Sequence, residues 1–183
     1  MEPADRTELA RRIHLAAHLT GTFTLRSGAV SHEYFDKYRF ESDPSLLHAI
    51  AEATAPLVPP GTDALAGLEL GGVPLATMLS QVTGLPVVFV RKQAKTYGTC
   101  RLAEGGDIEG RRLCIIEDVV TSGGAVLDAA AELRVRGAEL GPVLCVIDRE
   151  AGGTDKLAAE GLTLHALYTM TELNAAVSGG EAG

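Results

Sequence analysis

The chain is short of positive charge, of cysteine and of long apolar runs, and each shortage excludes something. Only 16 Lys and Arg stand against 24 Asp and Glu, a formal net charge of −8 over 183 residues. Nucleic acid and anionic membrane are therefore not the expected partners, because such polyanions are held by neutralising cations. No run approaches the ~18 apolar residues of a membrane-spanning helix. The opening Met1-Glu-Pro-Ala-Asp-Arg6 lacks the basic-then-apolar order of a secretory signal. Cys100, Cys114 and Cys145 are odd in number and carry no metal-ligand spacing, the pattern of reduced thiols in a cytoplasmic protein. The histidines (14, 18, 32, 48 and 165) are dispersed; His14 and His18 share a helical face but have no third ligand beside them. Neither a Gly-x4-Gly-Lys-Ser/Thr loop nor a Gly-x-Gly-x-x-Gly turn after a strand occurs. No repeat or linker divides the chain, so residues 1–183 are expected to form one domain with a frayed tail at 178–183.

What is present is concentrated in one stretch. Leu113-Cys-Ile-Ile-Glu117-Asp118-Val119-Val120-Thr121-Ser122-Gly123-Gly124-Ala125 runs from apolar residues through two adjacent carboxylates into a hydroxyl- and glycine-rich turn. Apolar residues without alternation suit a strand buried on both faces of a parallel sheet. Residues 126–133 then place apolar side chains at helical spacing, so the turn opens a helix. Residues 121–125 would aim backbone amides and two hydroxyls at one point beside a helix N-terminus, which suits a phosphate. Glu117 and Asp118 would repel that phosphate and suit sugar hydroxyls or a magnesium ion instead. The ligand implied is a phosphorylated sugar. A strand, turn and helix without any ligand is the plainer alternative. No buried basic partner is evident for the two acids.

Positive charge gathers once. Arg91-Lys92-Gln-Ala-Lys95-Thr-Tyr97-Gly-Thr-Cys100-Arg101 follows the β-branched run 85–90 and ends near Gly105-Gly106. It reads as a basic loop, either merely solvated or neutralising an anionic leaving group. The rest alternates. Residues 5–19 form an amphipathic helix. Two short strands, 23–28 and 34–38, meet across a Ser-Gly turn. Asp43-Pro44 caps a helix to about residue 57. Strands at 64–70, 86–91, 112–119, 141–148 and 162–168 then alternate with helices at 72–82, 123–136, 154–160 and 170–177. That order means an α/β fold with a mostly parallel sheet and helices on both faces.

The stretch 113–125 resembles the phosphoribosyl pyrophosphate signature of the type I phosphoribosyltransferases. Four further segments narrow the resemblance to the orotate phosphoribosyltransferase family: Phe23-Thr-Leu-Arg26-Ser27-Gly28 with Tyr34-Phe35, Gly67-Leu-Glu-Leu-Gly71-Gly72-Val-Pro74, the basic loop, and Asp148-Arg149-Glu150-x-Gly152-Gly153. The fold implied is the type I phosphoribosyltransferase fold, with a small N-terminal hood at roughly 20–40. The activity implied is transfer of the phosphoribosyl group to orotate, giving orotidine 5′-monophosphate and pyrophosphate with Mg2+. A purine phosphoribosyltransferase, or a regulator that binds without turnover, are the alternatives.

By that resemblance Arg91, Lys92, Lys95 and Asp118 are catalytic. Phosphoribosyl pyrophosphate is held by Arg91, Lys92, Lys95, Gly71, Gly72, Glu117, Asp118, Val119, Val120, Thr121, Ser122, Gly123, Gly124 and Ala125. Orotate meets Thr121, Arg149, Arg26, Tyr34 and Phe35, with Arg149 suited to a bidentate grip on its carboxylate; an Asp148–Arg149 pair is the structural alternative. Magnesium is bound mainly through the substrate, with Glu117 and Asp118 nearby. The resemblance also implies a cytoplasmic homodimer in which Lys92 acts across the interface. Three positions depart from the family's pattern: Arg26 where bacterial members commonly have lysine, Gly71 where many have lysine, and Lys95-Thr-Tyr97 where Lys-x-His is frequent. A contact made by lysine at position 71 must therefore come from backbone or another cation.

Overall fold

A computed structural model describes residues 3–24, 28–93 and 102–178. Helix α1 (Pro3–Ala17) buries Leu9, Ala10, Ile13 and Ala17 along one stripe. The antiparallel hairpin β1 (His18–Thr24) and β2 (Val30–Phe35) follows, then the short helix α2 (Tyr38–Glu41) and helix α3 (Pro44–Thr54). As expected, the Asp43 side chain accepts from the amides of Ser45 and Leu46, with Pro44 in the first turn. A 3-10 turn (Ala55–Leu57) leads to strand β3 (Ala64–Leu68), helix α4 (Gly72–Thr83), strand β4 (Val87–Val90) and the two-residue strand β5 (Ala103–Glu104). The rest is β6 (Arg112–Val120), α5 (Gly124–Val135), β7 (Glu139–Asp148), α6 (Gly153–Ala159), β8 (Leu164–Thr169) and α7 (Met170–Ser178).

The main sheet has the order β5-β4-β3-β6-β7-β8, parallel except for β5. Side chains of β6 divide between two cores. Cys114 and Ile116 face one formed with α1, α3, α4 and α7, while Leu113 and Ile115 face one formed with α5 and α6. From β3 the chain steps outward to β4, and then returns to lay β6 on the other side of β3. That reversal opens a crevice beyond the carboxyl ends of β3 and β6, the place where open α/β sheets bind ligands.

The hairpin departs from its expected bounds. Residues 18 and 19, expected at the end of the first helix, begin β1, and the second strand stops at Phe35. Asp36 turns the chain: its amide donates to Ala17 O at 2.8 Å and its Oδ1 accepts from Tyr38 N at 3.2 Å, so Tyr38 opens α2. The expected segments 25–27 and 179–183 lie outside the described residues. Strand β5 is an addition, too short to carry a period of its own. Among the described residues, no helix is long and apolar enough to cross a membrane.

Candidate active site

Strand β6 delivers the two acids. Glu117 is almost fully buried and Asp118 fully so. Immediately beyond, Gly123 takes φ 77° and caps α5, a left-handed conformation that glycine adopts without strain. The turn 121–125, with Glu117, Val119, Val120 and Val126, encloses a cavity of about 140 Å³ at the N-terminus of this 12-residue helix. It offers backbone donors and the positive end of a helix dipole, chemistry that fits a phosphate. The neighbouring turn is locked against it: Arg149 N donates to Val120 O at 2.9 Å, and a Cβ on Gly153 would stand 2.6 Å from Thr121 O.

The turn after β3 approaches from the other side. A Cβ on Gly72 would meet Ile116 O at 2.1 Å, so only glycine lets α4 begin against the end of β6. A Cβ on Gly71 would stand 1.9 Å from Asp118 Oδ2. That carboxylate has a partner which sequence reasoning missed: Lys37 Nζ lies 2.6 Å from Oδ2, with the lysine side chain one-third exposed and the aspartate at 0%. The expectation of acids without a basic neighbour is thus corrected. Lys37 follows the hairpin directly and heads α2, whose last residue, Glu41, is buried in the same group. Asp36 as a turn-former was the local signal that could have aimed this segment inward; nothing in the sequence linked it to Asp118.

Burial drives the electrostatics. It pushes Glu41 up to about 9 and Glu117 up to about 8, in both cases helped by the hydrogen bond and charge of Asp118. Burial also acts to raise Asp118, but its neighbours Glu41, Glu117 and Lys37 outweigh it and hold the carboxyl below its usual range. Lys37 is the mirror case: burial acts to lower it, and the bond and charge of Asp118 raise it above the ordinary value. Burial thus favours the neutral form of Glu41 and Glu117, while the Asp118–Lys37 pair favours its charged form.

Arg149, at the end of β7, places its guanidinium carbon 6.0 Å from the centre of the Phe35 ring. Its neighbour Asp148 is engaged elsewhere, accepting from Glu150 N at 2.8 Å and Thr154 Oγ1 at 2.9 Å. The alternative Asp148–Arg149 pair is therefore not formed among the described residues. Tyr34 is not brought to Arg149. As the neighbour of Phe35 in a strand it points to the opposite face, where its ring lies 5.4 Å from Phe23.

Arg91 and Lys92 stand at the end of β4, where Arg91 N donates to Leu102 O at 2.9 Å and Lys92 N to Glu69 Oε2 at 3.2 Å. Together with Glu69, Glu117 and Asp128 they line a cleft of about 640 Å³. Lys95, Tyr97, Cys100 and Arg26 lie outside the described residues. Cys114 and Cys145 are free and buried, and burial pushes the Cys114 thiol up to about 12. No cluster of three or more His, Cys, Asp or Glu able to hold a metal occurs among the described residues.

Residues 43–165 match the phosphoribosyl transferase domain family, the class that this switch-point site defines. Over 172 residues the chain is 55% identical to the orotate phosphoribosyltransferase of Nocardioides sp., covering 94% of this chain and 96% of that one. Over 153 residues it is 44% identical to the orotate phosphoribosyltransferase of Methanocella arvoryzae, covering 84% and 87%. Its structure aligns at a TM-score of 0.80 and 28% identity with Mycobacterium tuberculosis orotate phosphoribosyltransferase crystallised with 5-phospho-alpha-D-ribosyl 1-diphosphate, covering 93% and 99% of the two chains. The chain belongs to the orotate phosphoribosyltransferase family, and its fold is the type I phosphoribosyltransferase fold.

Proposed function

We propose that this protein transfers the 5-phosphoribosyl group from phosphoribosyl pyrophosphate to N1 of orotate, giving orotidine 5′-monophosphate and pyrophosphate in pyrimidine biosynthesis. The observation that carries orotate rather than a purine is Arg149, released from Asp148 and held beside the turn 121–125 with Phe35 across from it. A guanidinium there suits a carboxylated base, because it offers two parallel donors to two oxygens. Thr121 and the Phe35 ring frame the same base, with Arg26 in a supporting role, while Tyr34 packs on Phe23.

The phosphate of the ribose 5-position sits on Thr121, Ser122, Gly123, Gly124 and Ala125, and Glu117 and Asp118 take its hydroxyls. Gly71 and Gly72 let backbone approach the diphosphate. Orotate's N1 is acidic enough to need no strong base, so the protein's task is to stabilise an oxocarbenium-like ribose and the departing pyrophosphate. Arg91, Lys92 and Lys95 supply positive charge at the leaving group, and closure of their loop excludes water from the cation. A magnesium ion would arrive on the diphosphate, with Glu117 and Asp118 nearby, since magnesium keeps few protein ligands and prefers phosphate and water oxygens. When bound, it supplies further charge neutralisation next to Glu117 and Asp118.

The same reading makes the chain one domain with the β1–β2 hairpin as its hood, and a homodimer in a reducing cytoplasm. Lys92, exposed at the end of β4, reaches the neighbouring subunit's site. The test is direct. Orotate absorbance should fall when the protein is mixed with orotate, phosphoribosyl pyrophosphate and magnesium, and pyrophosphate should appear in equal amount. No loss of orotate with a folded protein would overturn the proposal.

A further inference from the structure

At the crevice between β3 and β6, the components line up in one direction. The turn 121–125 lies at one end, Glu117 and Asp118 in the middle, and the Gly71–Gly72 turn at the other. Oδ2 of Asp118 faces away from the phosphate-sized cavity, toward Gly71, and there it meets the Lys37 ammonium at 2.6 Å. The ammonium is thus no further from the start of a residue-71 side chain than those two short distances laid end to end. The turn after β3 is Glu69, Leu70 and Gly71, followed by Gly72, so it contributes no positive charge of its own. The positive charge at this end of the crevice arrives from the segment after the hairpin.

We propose that Lys37 is a diphosphate-binding residue: its ammonium turns from Asp118 to the pyrophosphate group of phosphoribosyl pyrophosphate as the ribose hydroxyls take the carboxylate. This rests on the reading of the site given above.

Three features support it. First, an ammonium has three donors, and Asp118 engages it from one side while a third of the lysine side chain stays open to solvent. The Tyr38 ring lies 5.3 Å from Nζ and steadies the side chain without consuming a strong donor. Second, Asp118 is wholly covered and the Lys37 ammonium stands against Oδ2, so a hydroxyl that takes this oxygen competes with Lys37 for it. A diphosphate arriving together with that hydroxyl offers the ammonium a more highly charged partner at the moment it loses the first. Third, Gly71 makes the exchange possible. With no Cβ there, the carboxylate and the ammonium share space that any larger residue would fill. Lysine suits the role as a compact point charge that needs no fixed fork geometry.

The rival role is that of a counter-ion which only keeps Asp118 in place. Ligands of different length separate the two. Binding of pyrophosphate, ribose 5-phosphate and phosphoribosyl pyrophosphate, each with magnesium, would be measured by calorimetry for the wild type, Lys37→Met and Lys37→Arg, with melting temperatures alongside. Lys37→Met should weaken pyrophosphate and phosphoribosyl pyrophosphate roughly tenfold or more. Ribose 5-phosphate should stay within about twofold, and Lys37→Arg should recover most of the loss. Should Lys37→Met not fold, Lys37→Gln keeps a donor for Asp118 without charge, and the same comparison applies. Equal weakening of ribose 5-phosphate and phosphoribosyl pyrophosphate would assign Lys37 to Asp118 alone and overturn the proposal; unchanged pyrophosphate affinity would overturn it too. Neither result touches the reaction itself, which stands or falls on orotate turnover by the wild type.

Discussion

The guanidinium carbon of Arg149 lies 6.0 Å from the centre of the Phe35 ring, which joins the end of strand β7 to the hairpin that precedes the main sheet. Two residues more than a hundred positions apart thus frame one space. Arg149→Ala should leave that space without a carboxylate ligand. The expected loss is on the order of 2–4 kcal/mol in kcat/KM for orotate, with binding of phosphoribosyl pyrophosphate retained. Steady-state kinetics with orotate varied, plus calorimetry with phosphoribosyl pyrophosphate, checks both halves; unaltered orotate kinetics would remove Arg149 from the base site.

Gly71 and Gly72 should respond differently to the same change. A methyl at 72 meets a backbone oxygen of β6 at 2.1 Å, whereas a methyl at 71 meets the Asp118 carboxylate at 1.9 Å. Gly72→Ala should therefore lower the melting temperature sharply, because backbone must move. Gly71→Ala should spare more of the stability and instead weaken phosphoribosyl pyrophosphate by about tenfold or more, since Asp118 is driven from its place. Equal melting losses in both variants, with ligand affinity intact in Gly71→Ala, would contradict this division.

Stability should fall as pH rises through the neutral range, and Glu41 is one cause. Burial holds its proton in the folded chain up to about 9, whereas the unfolded chain releases it near the ordinary 4.5. Between those values the native state binds more protons than the unfolded state, so stability declines with rising pH. Glu117 acts in the same sense up to about 8. Asp118 has the opposite sign: its stabilisation is present above its unfolded value and is lost as pH falls through its lowered folded value. Glu41→Gln keeps a hydrogen-bond donor toward Asp118 and has no proton to lose. Its melting temperature should drop less than that of the wild type between about pH 5.5 and about pH 8.5. Parallel melting curves across that range would show that Glu41 does not retain its proton.

The sequence was readable where information is local. The run into Glu117 and Asp118 and the glycine corner at 123 determine β6, the turn and α5 without reference to the rest of the chain. The bounds found there, 112–120 and 124–135, lie within about a residue of those expected. The strand order, and with it the switch point, was not legible, because it depends on pairing between distant segments. Lys37 was not readable at all. It stands in a short Asp-Lys-Tyr segment without period, and its partner is brought in by the long path through β3 and β4. The opposite aims of Tyr34 and Phe35 were implicit in strand geometry, yet adjacency in sequence suggested a shared role.

The basic segment should act on turnover rather than on ground-state binding. Its brackets, Arg91 and Leu102, are tied by a hydrogen bond at the mouth of the larger cleft. Lys95→Ala should lower kcat far more than it raises KM, because charge over a leaving group counts most in the transition state. In a shared-site dimer, mixing inactive Lys92→Ala and Arg149→Ala chains should restore one intact site per mixed dimer. Subunit exchange proven with labelled chains, yet without regained activity, would show that both residues serve their own subunit.

Most direct of all is a competition among bases. Orotate, uracil, hypoxanthine and adenine would be offered together with limiting phosphoribosyl pyrophosphate and magnesium, and the nucleotide products identified by mass. Orotidine 5′-monophosphate should account for nearly all of the phosphoribosyl group consumed, because Arg149 rewards the carboxylate that the other three bases lack. A purine nucleotide as the main product, or consumption of phosphoribosyl pyrophosphate without any nucleotide, would contradict the assignment.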